Sequence, residues 1–187
     1  MASDQLIAVA TDALRGLVQA AVPPNTAVMV GAPSPDGEAM SGLSVHLFRI
    51  GVLPVVRAVP VLGMDGRRTR PEVGLQVDYL LTGLGGEALQ ELGLLGNALQ
   101  VLADSPVRER TGLAALLSQP DRLNEIPKGS ITLQWRVLDL PIDQQCQVWL
   151  ASGMKQRAGV FCRADVIWQA LQDGTGAPVL ERNPTPT

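Results

Sequence analysis

The sequence predicts an α/β fold of the α+β type: one domain whose mixed, mostly antiparallel sheet carries its helices on one face. Three observations predict it. Leu43 to Ile50, Val73 to Leu81 and Ile131 to Val137 each alternate apolar with polar residues, the period of a strand with one buried and one polar face. Parallel strands covered on both sides read instead as continuous apolar runs. Two further segments, near the N-terminus and from Glu87 to Ala103, repeat apolar residues at helical spacing, which supplies the layer that covers the apolar face.

The elements follow in order. Ser3 reads as an N-cap, and Leu6, Ile7, Ala10, Ala13, Leu14, Leu17 and Val18 form the apolar stripe behind it. Pro23-Pro24 ends that helix by Val22. Thr26 to Val30 is a short strand, and Gly31 to Gly42 is a loop. In the strand from Leu43 to Ile50, Val45 and Leu47 point one way, and Ser44 and His46 the other. Residues 51–71 form a long connection containing Arg57, Arg67, Arg68 and Arg70, in which Val55 to Leu62 reads as a hairpin strand.

Val73, Leu75, Val77, Tyr79 and Leu81 take one face of the next strand, with Gln76 and Asp78 on the other. The helix from Glu87 to Ala103 follows. Its stripe reads as Leu89, Leu92, Leu95, Leu99 and Leu102, widened by Leu94, Ala98 and Val101. A face this broad packs on more than one side, and a charge at Leu99 is expected to unfold the domain. Pro106 stops the helix, Leu113 to Leu117 is a helical turn, and Gln119 to Gly129 is a loop. After the strand ending at Val137 comes a helix from Ile142 to Ala151, with Cys146, Trp149 and Leu150 on its apolar side. Val160 to Trp168 is the last strand. The domain therefore spans 1–172, and the Gly- and Pro-rich stretch 173–187 reads as a flexible tail.

Composition narrows the function. A net charge of -3 argues against a general nucleic-acid binder, which needs many cations along the phosphates. No apolar run reaches the roughly 20 residues that cross a bilayer, and no signal peptide is visible. The two cysteines, Cys146 and Cys162, lack metal-ligand spacing and read as buried thiols of a reducing cytoplasm.

Little catalytic chemistry is on offer. Gly83-Leu84-Gly85-Gly86-Glu87-Ala88 fits the G-x-G-x-x-G/A pattern between a strand and a helix. One reading is a small nucleotide-binding enzyme that uses this turn. Its context is wrong for a dinucleotide site: the preceding strand is half polar, and Asp104 lies at a helix end instead of closing a second strand. The other reading is a turn that folds a helix back onto its strand. His46 is the sole histidine and no G-x-S-x-G elbow exists, so neither a serine triad nor a zinc site has its parts. No cofactor and no metal are expected.

Charged groups suit protein partners better. Arg57 and the run Arg67, Arg68 and Arg70 can grip carboxylates bidentately, or form a solvated loop. Arg136, Arg163 and Asp165 sit on the polar side of their strands, facing water or another subunit. These seven residues are the candidate partner-interface set.

Longer blocks carry a resemblance. Leu75-Gln76-Val77-Asp78-Tyr79-Leu80-Leu81-Thr82, then Leu94-Leu95-Gly96-Asn97-Ala98-Leu99-Gln100-Val101-Leu102, then Ile131 to Asp139, the Trp149 helix and Arg157 to Val166 resemble the cap, or tail-terminator, family of phage-tail-like contractile injection systems. The resemblance spans most of residues 5–170. It implies a structural protein with a tail-terminator-like fold, no enzymatic activity and no cofactor. It also implies a ring, typically a hexamer, on the end of the inner tube and contractile sheath. Partners would be further copies of itself, the tube and sheath proteins, and a second cap protein where the chain acts as a cap adaptor. Assembly would be cytoplasmic, in a particle that docks on a membrane or is released, without direct membrane insertion. The remaining alternative is a general protein-interaction module.

Overall fold

The computed structural model describes residues 2–32, 41–53, 68–69, 73–85, 87–104, 107–153 and 155–172. The chain opens with helix α1 (Ala2–Ala21), then strands β1 (Ala27–Val30), β2 (Gly42–Val52), β3 (Arg68–Thr69) and β4 (Val73–Leu84). Helix α2 (Ala88–Asp104), strand β5 (Val107–Glu109), helices α3 (Arg110–Leu113) and α4 (Arg122–Glu125), strand β6 (Gly129–Val137), helix α5 (Ile142–Ala151) and strand β7 (Gly159–Gln172) complete it.

Six strands lie in the order β1-β2-β4-β7-β6-β5, and β3 pairs with the far end of β7. Among the described residues only β1 and β2 run parallel; the other pairings are antiparallel. The mixed, mostly antiparallel sheet is as the alternating strands predict.

Alternation decides which side is core. Leu75, Val77, Tyr79 and Leu81 of β4 are buried, beside Val160, Cys162, Ala164 and Val166 of β7 and Ile131, Leu133 and Trp135 of β6. Onto this face α1 lays Leu6, Val9, Ala10, Ala13, Leu14, Leu17 and Val18, all buried. A buried Leu or Val contributes about 1.5–3 kcal/mol, so this helix-on-sheet layer dominates the stability. Tyr79 keeps one polar atom inside it, and its hydroxyl meets Thr11 Oγ1 at 3.0 Å. Asp12 also ties the turn after α3 to α1. Its carboxylate accepts from the Ser118 backbone and hydroxyl, both at 2.8 Å, and from Arg15 at 2.9 Å. Burial alone would raise the Asp12 carboxyl; these bonds outweigh it and hold it below the usual carboxylate value. The close approach has a sequence signature at Gly16, where a Cβ would stand 1.8 Å from the Leu116 carbonyl oxygen.

Several expectations need correction. α1 already runs at Ala2, so Ser3 lies inside its first turn and is not its cap. β5 and α4 are elements the sequence reading missed; α4 lies within the expected 119–129 loop. Leu150 is exposed, while Trp149 carries the burial of α5. The expected hairpin strand over 55–62 lies outside the described residues.

The main correction concerns α2. Its buried residues are Leu94, Leu95, Ala98 and Leu102, while Leu89, Leu92 and Leu99 are exposed. The core face is rotated from the expected stripe because leucines surround the helix and their spacing alone cannot choose a side. The physical consequence reverses the expected effect at Leu99. Leu95→Asp places an unpaired charge in the core and should abolish cooperative thermal unfolding. Leu99→Asp should fold with a melting temperature close to the wild type. Circular dichroism melts of both variants check the assignment.

Candidate interaction surfaces

The opposite sheet face holds two distinct groups of side chains. At one end, Leu80 and Phe161 point away from the main core and pack with Trp149 of α5, while Phe48, Leu138, Leu140 and Val148 close around them. Phe48 meets Phe161 edge-on, with ring centroids 5.9 Å apart. Thus α1 and α2 cover one face, and the short α5 covers one end of the other.

Beyond this cluster lies a row of charges. Arg49 of β2 pairs in register with Asp78 of β4, Asp78 with Arg163 of β7, and Arg163 with Arg136 of β6. Asp78 is only 2% exposed. Arg163 donates to both of its oxygens, through Nε to Oδ1 and through Nη2 to Oδ2 at 2.8 Å. Arg49 approaches from the other side at 3.7 Å. Hydrogen bonding to Asp78 raises the Arg163 guanidinium above its ordinary value, with burial opposing it. One row along, Asp165 accepts an ion pair from Arg136 at 3.1 Å. The five groups sum to one net positive charge, from three arginines and two aspartates.

The structure therefore brings together three of the sequence-predicted interface residues, Arg136, Arg163 and Asp165. It adds Asp78, which is buried under its partners instead of facing water. It also adds Arg49, which sequence reading missed. Simple alternation would carry Leu43, Val45, Leu47 and Arg49 to one side. A bulge between Leu47 and Arg49 reverses the parity, moving Arg49 onto the polar face and placing Ile50 opposite Val77. Arg57, Arg67 and Arg70 lie outside the described residues. Arg68 is placed by its backbone, which pairs with Gln172.

The glycine turn has a packing explanation. Gly83 lies under the first turn of α2, where a Cβ would come 2.6 Å from Glu91 Cβ. Gly85 adopts φ 65°, a left-handed conformation natural to glycine. The space where a phosphate would approach Gly83 is filled by the Glu91 side chain, so this turn seats a helix on its strand.

Burial shifts two other titratable groups. Burial lowers the His46 imidazole from its usual value and pushes the Cys162 thiol up to about 12. A thiol that stays protonated is no nucleophile. Among the described residues, no group of three His, Cys, Asp or Glu side chains is placed to hold a metal ion. No helix among them is long and apolar enough to cross a membrane.

A family model described as the Pvc16 N-terminal domain matches residues 10–181. No curated protein matches the sequence. Among solved structures, the fold is similar to the sheath/tube terminator of the extracellular contractile injection system PVC in its extended state. The TM-score is 0.61 and the identity 16%, over 97% of this chain and 63% of that one. It is also similar to the tube-terminating cap of the anti-feeding prophage, with a TM-score of 0.59 and 16% identity, over 94% of this chain and 58% of that one. The chain thus spans about three-fifths of the length of each.

The charge row makes a graded prediction. Arg163→Ala leaves a buried carboxylate with one distant partner and should cost about 3 kcal/mol. Arg49→Ala removes the exposed and more distant partner of Asp78 while Arg163 stays in place, and should cost less than about 1 kcal/mol. Urea denaturation of the two variants measures the difference.

Proposed function

The chain belongs to the Pvc16 N-terminal domain family, and from that membership we propose that it is a structural cap or cap-adaptor subunit of a contractile injection system. In this reading it is not an enzyme. It forms a ring at the distal end of the particle, terminates the inner tube and couples the sheath to it. Assembly takes place in the cytoplasm.

One observation carries the reading: over nearly the whole chain the fold is similar to proteins described as a sheath/tube terminator and a tube-terminating cap. The side-chain chemistry is consistent with it. The described surface offers ion-paired and apolar groups for protein contact. The glycine turn is filled by helix packing and the Cys162 thiol is buried in the core. A tube end presents the same protein surface in rotational repeat, and a closed ring of head-to-tail contacts matches that symmetry.

Partners in this reading are further copies of the chain, the tube protein, the sheath protein and a second cap protein. The arginines of the 51–71 connection and the row of Arg136, Arg163 and Asp165 are their candidate contacts. The 173–187 tail is a candidate for sheath attachment by strand addition.

Two measurements test this. Electron microscopy of the purified protein mixed with inner tube should place rings at tube ends; decoration along the tube sides, or no binding, would remove the cap assignment. Truncation before Asp173 should leave the thermal melt unchanged and reduce co-purification with extended sheath. Full retention of sheath by the truncated protein would exclude the tail as the attachment.

A further inference from the structure

The sheet face turned away from α1 and α2 is covered at one end, where α5 closes over Leu80 and Phe161. The adjoining row of Arg49, Asp78, Arg163 and Arg136 belongs to neither apolar cluster, and nor does the row after it, which holds Asp165 and Gln134. Arg49, Gln134 and Arg136 are exposed. Ile167, one row further on, is 37% exposed.

Depth sorts the charges on this face by sign. The side chains of Asp78 and Asp165 are 3% and 14% exposed, and those of Arg49 and Arg136 are 62% and 49% exposed. The carboxylates form a floor and the arginines stand over it. An approaching partner therefore meets cations, although the whole chain carries a net charge of -3.

These arginines keep unused capacity. Arg163 already engages both oxygens of Asp78, and Arg49 is a distant second partner at 3.7 Å. Arg136 meets Asp165 through Oδ2 at 3.1 Å, while Oδ1 takes no bond. A guanidinium carries more N–H donors than one such contact uses, and its fork holds a carboxylate bidentately. Arg136 also stands directly opposite Arg163, where like charges repel and an added anion lowers that repulsion.

We propose that this face docks an acidic segment of a protein partner, with Arg49 and Arg136 gripping its carboxylates. The contact rests on the cap reading above, which supplies a protein partner, and adds which groups make it and what charge the partner brings. Gln134 and Ile167 offer amide and apolar contact beside the grips. A long polyanion such as nucleic acid fits less well. Glu109 of β5 stands on the same face, opposite Thr132, and repels phosphates that run on past the arginines.

Fluorescence anisotropy with fluorescein-labelled hexaglutamate, on the full chain at low salt, tests the contact. The wild type should bind, and added salt should weaken the binding. Arg49→Gln and Arg136→Gln should each weaken it roughly fivefold, and the double variant more, with melting temperatures near that of the wild type. Lys128→Gln, which removes an exposed cation before β6, should bind as the wild type does. No binding by the wild type, full binding by the double variant, or an equal loss in Lys128→Gln would overturn the proposal. So would a single-stranded oligonucleotide that binds through the same two arginines more tightly than hexaglutamate. The cap reading is read separately, at tube ends. Rings formed there by the double variant as well as by the wild type would remove this contact and leave the cap reading standing. Hexaglutamate binding through the two arginines, with no rings from the wild type, would remove the cap reading and leave the acidic preference of the face.

Discussion

Strand β4 is the element on which the rest depends. It is hydrogen-bonded to β2 along one edge and to β7 along the other. Leu75, Val77, Tyr79 and Leu81 enter the helix layer, and on the other side Asp78, Leu80 and Thr82 are buried too. Leu80 is closed over by Phe161 and Trp149, and Thr82 donates to the Ala158 carbonyl. Asp78 is the exception in chemistry but not in burial. A carboxylate at that depth is tolerable only because Arg163 grips both of its oxygens. The central strand therefore fixes both neighbours: β7 must bring an arginine opposite Asp78, and β2 must bend to bring another.

That second demand explains the bulge in β2. If Phe48 were paired regularly instead of bulged, Arg49 would fall opposite Val77 and point into the layer occupied by α1 and α2, and Ile50 would join the charges. With it, Phe48 fills the space beside Phe161, Arg49 reaches Asp78, and Ile50 continues the apolar side opposite Val77. One inserted residue thus satisfies an aromatic cluster and an ion pair together. This is why the bulge belongs to the design of the face and is not an irregularity at its margin.

Much of this was legible in the sequence, for a physical reason. β4, β6 and β7 are long strands whose alternation is nearly unbroken, so Arg136, Arg163 and Asp165 could be assigned to one face by parity alone. Where parity breaks, the assignment fails: nothing in Leu47-Phe48-Arg49 announces a bulge, and Arg49 was missed. α2 fails differently. Leucines at 89, 92, 94, 95, 99 and 102 surround most of the helix, so periodicity marks a helix without saying which side faces inward. β5 is three residues held by pairing with β6, too short for any period. The glycine turn looked like a phosphate cradle because a close backbone approach needs glycine whether the neighbour is a nucleotide or a helix. Only the position of Glu91 separates the two.

The ambiguity of α2 is itself informative. A helix that serves only one core carries polar residues on its outer side. This one keeps Leu89, Leu92 and Leu99 there, next to glycines that lower helix stability by up to about 1 kcal/mol each relative to alanine. What separates the two sides is not spacing but what each leucine touches: Leu94, Leu95, Ala98 and Leu102 meet the sheet and α1, while Leu89 and Leu92 on the same helix are more than half exposed. Apolar periodicity therefore fixes the helix and leaves its rotation to the tertiary partner that supplies the facing surface.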